Sequence, residues 1–141
     1  EDDIQLGSTG RCVFCLDADV EKLPFPDETF DVYTSNLSLQ ITPNYMDMLK
    51  ESYRVLNKGG KASFSVWGRI ENSSFMTFLP NILKRYGVNA EPYKFFNFDL
   101  NDKQKLVEDA RTVGYTNVKS FYFPSNYAIM TGKKSLLNFN R

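Results

Sequence analysis

The chain reads as one α/β domain with a mostly parallel sheet that closes on an antiparallel strand. The order of apolar and β-branched runs carries that reading: strand, loop, strand, helix, strand, helix, helix, hairpin. The final pair of runs flanks Pro124-Ser125-Asn126, a plausible hairpin turn. The length of 141 residues suits a single domain spanning 1–141, with no repeat, low-complexity tract or interdomain linker.

Each element has a local reason. Residues 1–10 are polar and connecting. Residues 11–16 include the apolar run Cys12-Val13-Phe14-Cys15-Leu16, expected as a buried first strand. Residues 17–29 form a loop, because Pro24 and Pro26 forbid a regular helix. Residues 30–36, Phe-Asp-Val-Tyr-Thr-Ser-Asn, make a second strand. Thr42-Pro43 starts a helix, threonine as cap and proline at the first helical position. Tyr45, Met48, Leu49, Ser52 and Leu56 then share one face, and Gly59-Gly60 turns the chain into a third strand at residues 61–67. Ser73 or Ser74 caps the next helix, with Phe75, Phe78, Leu79, Ile82, Leu83 and Tyr86 in one stripe expected as core. Pro80 bends that helix and Gly87 ends it. An aromatic-rich connection with Tyr93, Phe95 and Phe96 follows. Asn101 or Asp102 caps a helix with Leu106, Ala110 and Val113 inward, stopped by Gly114. Residues 118–123 and 127–131 are the closing strands.

Composition narrows the chemistry. With 42% hydrophobic and 24% charged residues, this is the profile of an ordinary soluble globular chain. Seventeen basic and seventeen acidic residues cancel, which argues against nucleic acid as a partner. No apolar run reaches membrane-spanning length and no signal peptide opens the chain, so a cytoplasmic location and no membrane partner are expected. There is no histidine, which removes histidine bases and histidine-ligated zinc within these residues. Cys12 and Cys15 form a C-x-x-C, but strand alternation sends positions three apart to opposite faces, and no second pair completes a metal site.

The most informative stretch is Asp19-Val20-Glu21-Lys22-Leu23-Pro24-Phe25-Pro26-Asp27-Glu28-Thr29-Phe30-Asp31, followed by Arg54-Val55-Leu56-Asn57-Lys58-Gly59-Gly60. It resembles class I S-adenosylmethionine-dependent methyltransferases of the type 11 kind. Their pattern runs Asp-Ala/Val-Glu-x-Leu-Pro-Phe-x-Asp-x-x-Phe-Asp, then Arg-Val-Leu-Lys-Pro-Gly-Gly. The resemblance covers residues 19–67 well and the rest loosely. It implies a Rossmann-like sheet in which the three early strands are the family's third, fourth and fifth, and the closing pair its sixth and seventh, the seventh antiparallel. On that alignment the first strands and their helices precede Glu1, and the chain opens on Glu1 rather than Met, as a fragment or processed product does. The glycine-rich first motif is missing. Gly7-Ser8-Thr9-Gly10 precedes the first strand instead of following one.

The resemblance also implies a site at the carboxyl ends of the strands, where open α/β sheets bind ligands. Asp19 accepts from the adenine amine of S-adenosylmethionine and the Val20 N–H meets a ring nitrogen; the bland alternative is an acid capping its own loop, and Asp17 is the other register. Asn36 and Leu37 lie under the methionine part. Gln40 stands where many members carry histidine. Trp67, Arg69 and Phe75 fall on the acceptor side, suited to an apolar or aromatic small molecule, with core packing the alternative for the aromatics. Glu51 and Arg54 read as a solvated or half-buried ion pair at helical spacing. The implied reaction is methyl transfer to a small-molecule acceptor by a longer chain, weak or absent in this stretch alone, with no catalytic residue named. A silent module that binds proteins is the other reading. An unpaired first strand edge makes a homo-oligomer plausible.

Overall fold

The computed structural model describes residues 4–5, 12–13, 15–69, 74–90, 97–122 and 127–134. In chain order these form β1 (Ile4–Gln5), β2 (Cys12–Val13), β3 (Phe30–Asn36), α1 (Tyr45–Val55), β4 (Leu56–Trp67), α2 (Ser74–Arg85), a 3-10 turn (Phe98–Asn101), α3 (Lys103–Val113), β5 (Tyr115–Tyr122) and β6 (Tyr127–Lys134).

The main sheet has the order β3-β4-β6-β5. β3 and β4 are parallel, while β6 runs antiparallel to both of its neighbours. Three strands therefore point one way and the last strand the other, as the sequence predicts for the family's fourth to seventh strands. The expected first strand differs. Cys12–Val13 pairs antiparallel with Ile4–Gln5 in a separate two-stranded sheet. No described strand pairs with the outer edge of β3; Leu16 is 53% exposed, and Cys15 is exposed and free. The side chain of Cys12 and the hairpin turn at Pro124-Ser125-Asn126 lie outside the described residues.

Alternation along β4 decides how the sheet packs. Ala62, Phe64 and Val66 are buried, while Lys61, Ser63 and Ser65 face the other way. Phe64 is completely covered and meets Tyr33 and Tyr115 at ring-centroid distances of 5.6 and 6.3 Å. Met48, Leu49 and Ser52 of α1 and Leu106 and Ala110 of α3 complete this face. Ser52 satisfies its buried hydroxyl by donating to Leu49 O at 2.7 Å, and its oxygen lies 2.8 Å from the Tyr115 hydroxyl. Burial pushes that tyrosine's pKa up.

Two boundaries differ from expectation for physical reasons. Thr42 does not cap α1. It folds back, its hydroxyl donating to Ser38 O at 2.9 Å, and the helix starts at Tyr45. Nor does the glycine pair end α1. The helix stops at Val55 and the strand begins directly at Leu56. The glycines lie inside β4, at a bulge between the pairs Phe30–Leu56 and Val32–Lys61. Gly59 has φ 81, and a Cβ on Gly60 would lie 2.8 Å from Asn57 O, so both positions need glycine. The α3 expectations hold: Asp102 accepts from Gln104 N–H at 2.8 Å, and Gly114 at φ 120 stops the helix.

Candidate functional site

The carboxyl ends of β3 and β4 meet at Asn36 and Ser65, paired in register. The chain then makes a sharp exit. Leu37 adopts φ 62, a left-handed conformation that a branched side chain rarely takes. Ser65 holds it there. The Leu37 N–H donates to Ser65 O at 3.0 Å, and the Ser65 hydroxyl donates to Asn36 Oδ1 at 2.5 Å. A non-glycine residue held against its preference at a strand end is a known mark of functional loops. The Asn36 carboxamide keeps its N–H₂ donors without a partner among the described residues.

Gln40 is fully buried. Its Oε1 accepts from the Trp67 N–H at 2.6 Å and its Nε2 donates to Trp67 O at 3.2 Å. The side chain thus copies one rung of a strand ladder and ties the turn after β3 to the end of β4. Sequence reading places Gln40 against the acceptor; the structure makes it a fastener with no exposed surface. Asn97 secures the same turn from outside, its Nδ2 donating to Leu39 O at 3.0 Å and Thr42 O at 2.6 Å.

The loop at residues 15–29 precedes β3 and is tied to α1. Asp19 is exposed. Its Oδ1 accepts from the Glu21 N–H at 2.9 Å and its carbonyl accepts from the Lys22 N–H at 3.0 Å. This is the geometry of an acid capping its own loop, and it leaves the second carboxylate oxygen without a described partner. Val20 is half-buried against the core, and its N–H also has no described partner. An acceptor and a donor therefore stand on adjacent residues, the complement that an adenine edge requires.

What fixes this loop was only half legible. Glu51 Oε2 accepts from the Leu23 N–H at 2.9 Å. Arg54 donates to Phe25 O at 2.8 Å, to Leu23 O at 3.1 Å and to Asp27 Oδ1 at 2.8 Å, while making two bonds of 2.8 Å to Glu51. The pair is thus a staple between α1 and the loop. The Arg54 hydrogen bonds hold the Glu51 carboxyl below the usual glutamate range, against the opposing pull of burial. Its bonds to the Glu51 and Asp27 carboxylates raise the guanidinium pKa still further above its ordinary value. Glu21 adds a second tie, accepting from the Asn44 N–H at 2.7 Å. The spacing of Glu51 and Arg54 on the helix was readable; that both reach Leu23 requires the tertiary fold.

Of the residues expected on the acceptor side, Trp67 is half-buried at the end of β4 and Arg69 is exposed, both engaged in contacts. Phe75 lies in α2, its side chain outside the described residues, as are Tyr93, Phe95 and Phe96. The stripe expected as core is only partly so: Phe78 is 66%, Leu79 60% and Tyr86 81% exposed, while Ile82 and Leu83 are half-buried. The periodicity holds, but more than half of the described stripe is left exposed. No group of three metal-ligating side chains occurs among the described residues, and no helix there is long and apolar enough to cross a membrane.

Residues 4–64 match the family described as Methyltransferase domain. Over 108 residues the chain is 31% identical to a demethylmenaquinone methyltransferase of Alkalihalophilus pseudofirmus, covering 69% of this chain and 46% of that protein. Among solved structures, a SAM-dependent methyltransferase of Thermotoga maritima superposes with a TM-score of 0.58 at 23% identity, over 87% of this chain and 65% of that one. A Haemonchus contortus phosphoethanolamine N-methyltransferase in complex with S-adenosylhomocysteine gives 0.56 at 12% identity, over 83% of this chain and 36% of that one. At these identities the structural likenesses show the fold alone. The chain spans about half the length of the curated relatives it matches.

Proposed function

We propose, because the chain belongs to the class I S-adenosylmethionine-dependent methyltransferases, that it serves methyl transfer to a small organic acceptor as part of a longer polypeptide. The observations that support this are the strained Asn36-Leu37 exit at the carboxyl end of β3 and the Asp19-Val20 loop, which Glu51 and Arg54 staple to α1. Asp19 and Val20 offer the acceptor and donor for adenine. Asn36 offers its amide to the polar end of the methionine moiety, and Leu37 packs beneath it. When bound, S-adenosylmethionine supplies a methyl group already activated on a sulfonium. The residues of this chain need only orient the reactants and exclude water. Gln40 positions Trp67, while Trp67, Arg69 and Phe75 border the acceptor, whose aromatic or apolar character follows from theirs. The A. pseudofirmus relative, named for a quinone substrate, agrees with an aromatic acceptor. The open edge of β3 is where a further strand would add, from a second copy or from the same polypeptide.

Titration calorimetry of the full-length protein with S-adenosylhomocysteine tests this reading. Micromolar binding is expected, weakened about tenfold by Asp19→Ala, the loss typical of one hydrogen bond to a charged group. Binding that ignores Asp19→Ala removes the adenine assignment; absence of any binding removes the cofactor.

A further inference from the structure

We propose, resting on the cofactor reading of the Asn36-Leu37 exit, that Asn97 is a positioning residue for that exit. It holds the turn after β3 so that Asn36 and Leu37 are presented in one preformed geometry. The turn at residues 38–42 lies outside the strand ladder, so its carbonyls need other partners. Ser38 O accepts from the Ile41 and Thr42 N–H groups at 3.1 and 3.0 Å and from the Thr42 hydroxyl at 2.9 Å. That closes the turn on itself but does not serve the carbonyls of Leu39, Gln40 and Thr42, all three buried residues. Asn97 meets all three. Its Nδ2 donates to Leu39 O at 3.0 Å and to Thr42 O at 2.6 Å, and its backbone N–H donates to Gln40 O at 3.2 Å.

Asn97 is itself anchored. It precedes the 3-10 turn at Phe98–Asn101, whose Leu100 is fully buried and donates its N–H to Asn97 O at 3.1 Å. From Asn97 the hydrogen bonds run through Thr42 to Ser38, and the Ser38 hydroxyl donates to Asn36 O at 3.3 Å. The exit is thus joined to the core under the 3-10 turn by an unbroken chain of bonds. Ser65 and Gln40 hold the same stretch to β4, the strand already paired with β3. Asn97 differs from both. It lies 55 positions beyond Thr42, and outside the residues 4–64 that match the family. Leu37 at φ 62 needs such a hold, because an unfavoured backbone conformation persists only while its surroundings over-determine it. Without Asn97 the competent geometry becomes one of several, and apparent affinity falls with the fraction of time spent in it.

The test uses the full-length protein with S-adenosylhomocysteine, by titration calorimetry together with amide hydrogen exchange. Asn97→Ala should weaken binding about tenfold, the loss expected when the competent turn is populated about one tenth of the time. In the unliganded variant, exchange should quicken at residues 37–42 and stay unchanged in β4 at residues 62–66, a pattern that a general loss of stability does not give. Asn97→Gln, which keeps the amide donors, should recover most of the affinity. Asn57→Ala should bind as the parent does, because that amide donates to Asp31 Oδ1 at the opposite end of the sheet. Should Asn97→Ala fail to fold, Asn97→Ser, which keeps one donor, gives the same comparison. Parent-like affinity in the variant, or quickened exchange that spreads through β4, would overturn the proposal and leave the cofactor reading standing. A parent protein that does not bind would remove both.

Discussion

Two segments border the proposed site, and they are held by different means. The loop at residues 15–29 has no regular structure, yet Glu51, Arg54, Glu21 and its own turns fix it through side-chain bonds to backbone groups. α2 is a regular twelve-residue helix with a clean apolar stripe. Among the described residues, however, no hydrogen bond or ion pair joins residues 78–90 to the sheet or to α1 and α3. Regularity and attachment are thus separate properties. A helix closes its own hydrogen bonds and can stand apart, whereas an irregular loop must be tied down to satisfy its backbone. The cofactor side of the proposed site is the tied one, and the acceptor side is the loose one.

The sharpest way to break this contrast is Arg54→Ala. Losing its bonds to Leu23, Phe25 and Asp27 and leaving Glu51 half-buried without its partner should cost about 3 kcal/mol in urea unfolding. A cost below about 1 kcal/mol would mean that the loop holds itself and the staple is incidental. Gln40→Leu comes next, at about 2 kcal/mol, because it removes both bonds to the Trp67 peptide inside the core. The pH dependence refines the staple. The folded-state pKa of Glu51 is lowered, so its stabilisation is fully present above the unfolded glutamate value and is lost as pH falls through the folded one. Acid titration of stability should therefore show a limb that Glu51→Gln flattens; an unchanged limb would place the acid sensitivity elsewhere. The smallest effect belongs to α2. Phe78→Ser with Leu79→Ser should change thermal stability by no more than about 0.5 kcal/mol, since both side chains are already exposed. A large loss would show that another part of the protein covers them.

The same contrast separates what the sequence made legible from what it did not. β3 was readable to the residue, because a β-branched and aromatic run stands between a proline-rich loop and a polar turn. α3 was readable because Asp102 and Gly114 punctuate it. The resemblance spanning residues 19–67 fixed the strand order beyond what periodicity could offer. Tertiary assignments were less visible. Gln40 looked like a site residue because it follows a strand end, but its amide faces the Trp67 peptide, a partner 27 positions away. The α2 stripe looked like core because periodicity reports amphipathic character without saying what occupies the far side. Gly59 and Gly60 looked like a helix stop, whereas crowding against Asn57 and Asp31 makes Gly60 part of a bulge. In each case the residue type was informative and the partner was not.

Lys134, at the end of β6, reaches back across the sheet. It is 7% exposed, its Nζ donates to Leu56 O at 2.9 Å, and it sits 4.9 Å from the centre of the Tyr53 ring. The Leu56 contact spans 78 positions along the chain. Synthesis runs from the amino end, so β4 emerges from the ribosome well before the strand that completes its ladder. Until β6 follows, the backbone of β4 offers a ready edge to any passing strand, so nascent chains stalled short of Lys134 should depend most on chaperones.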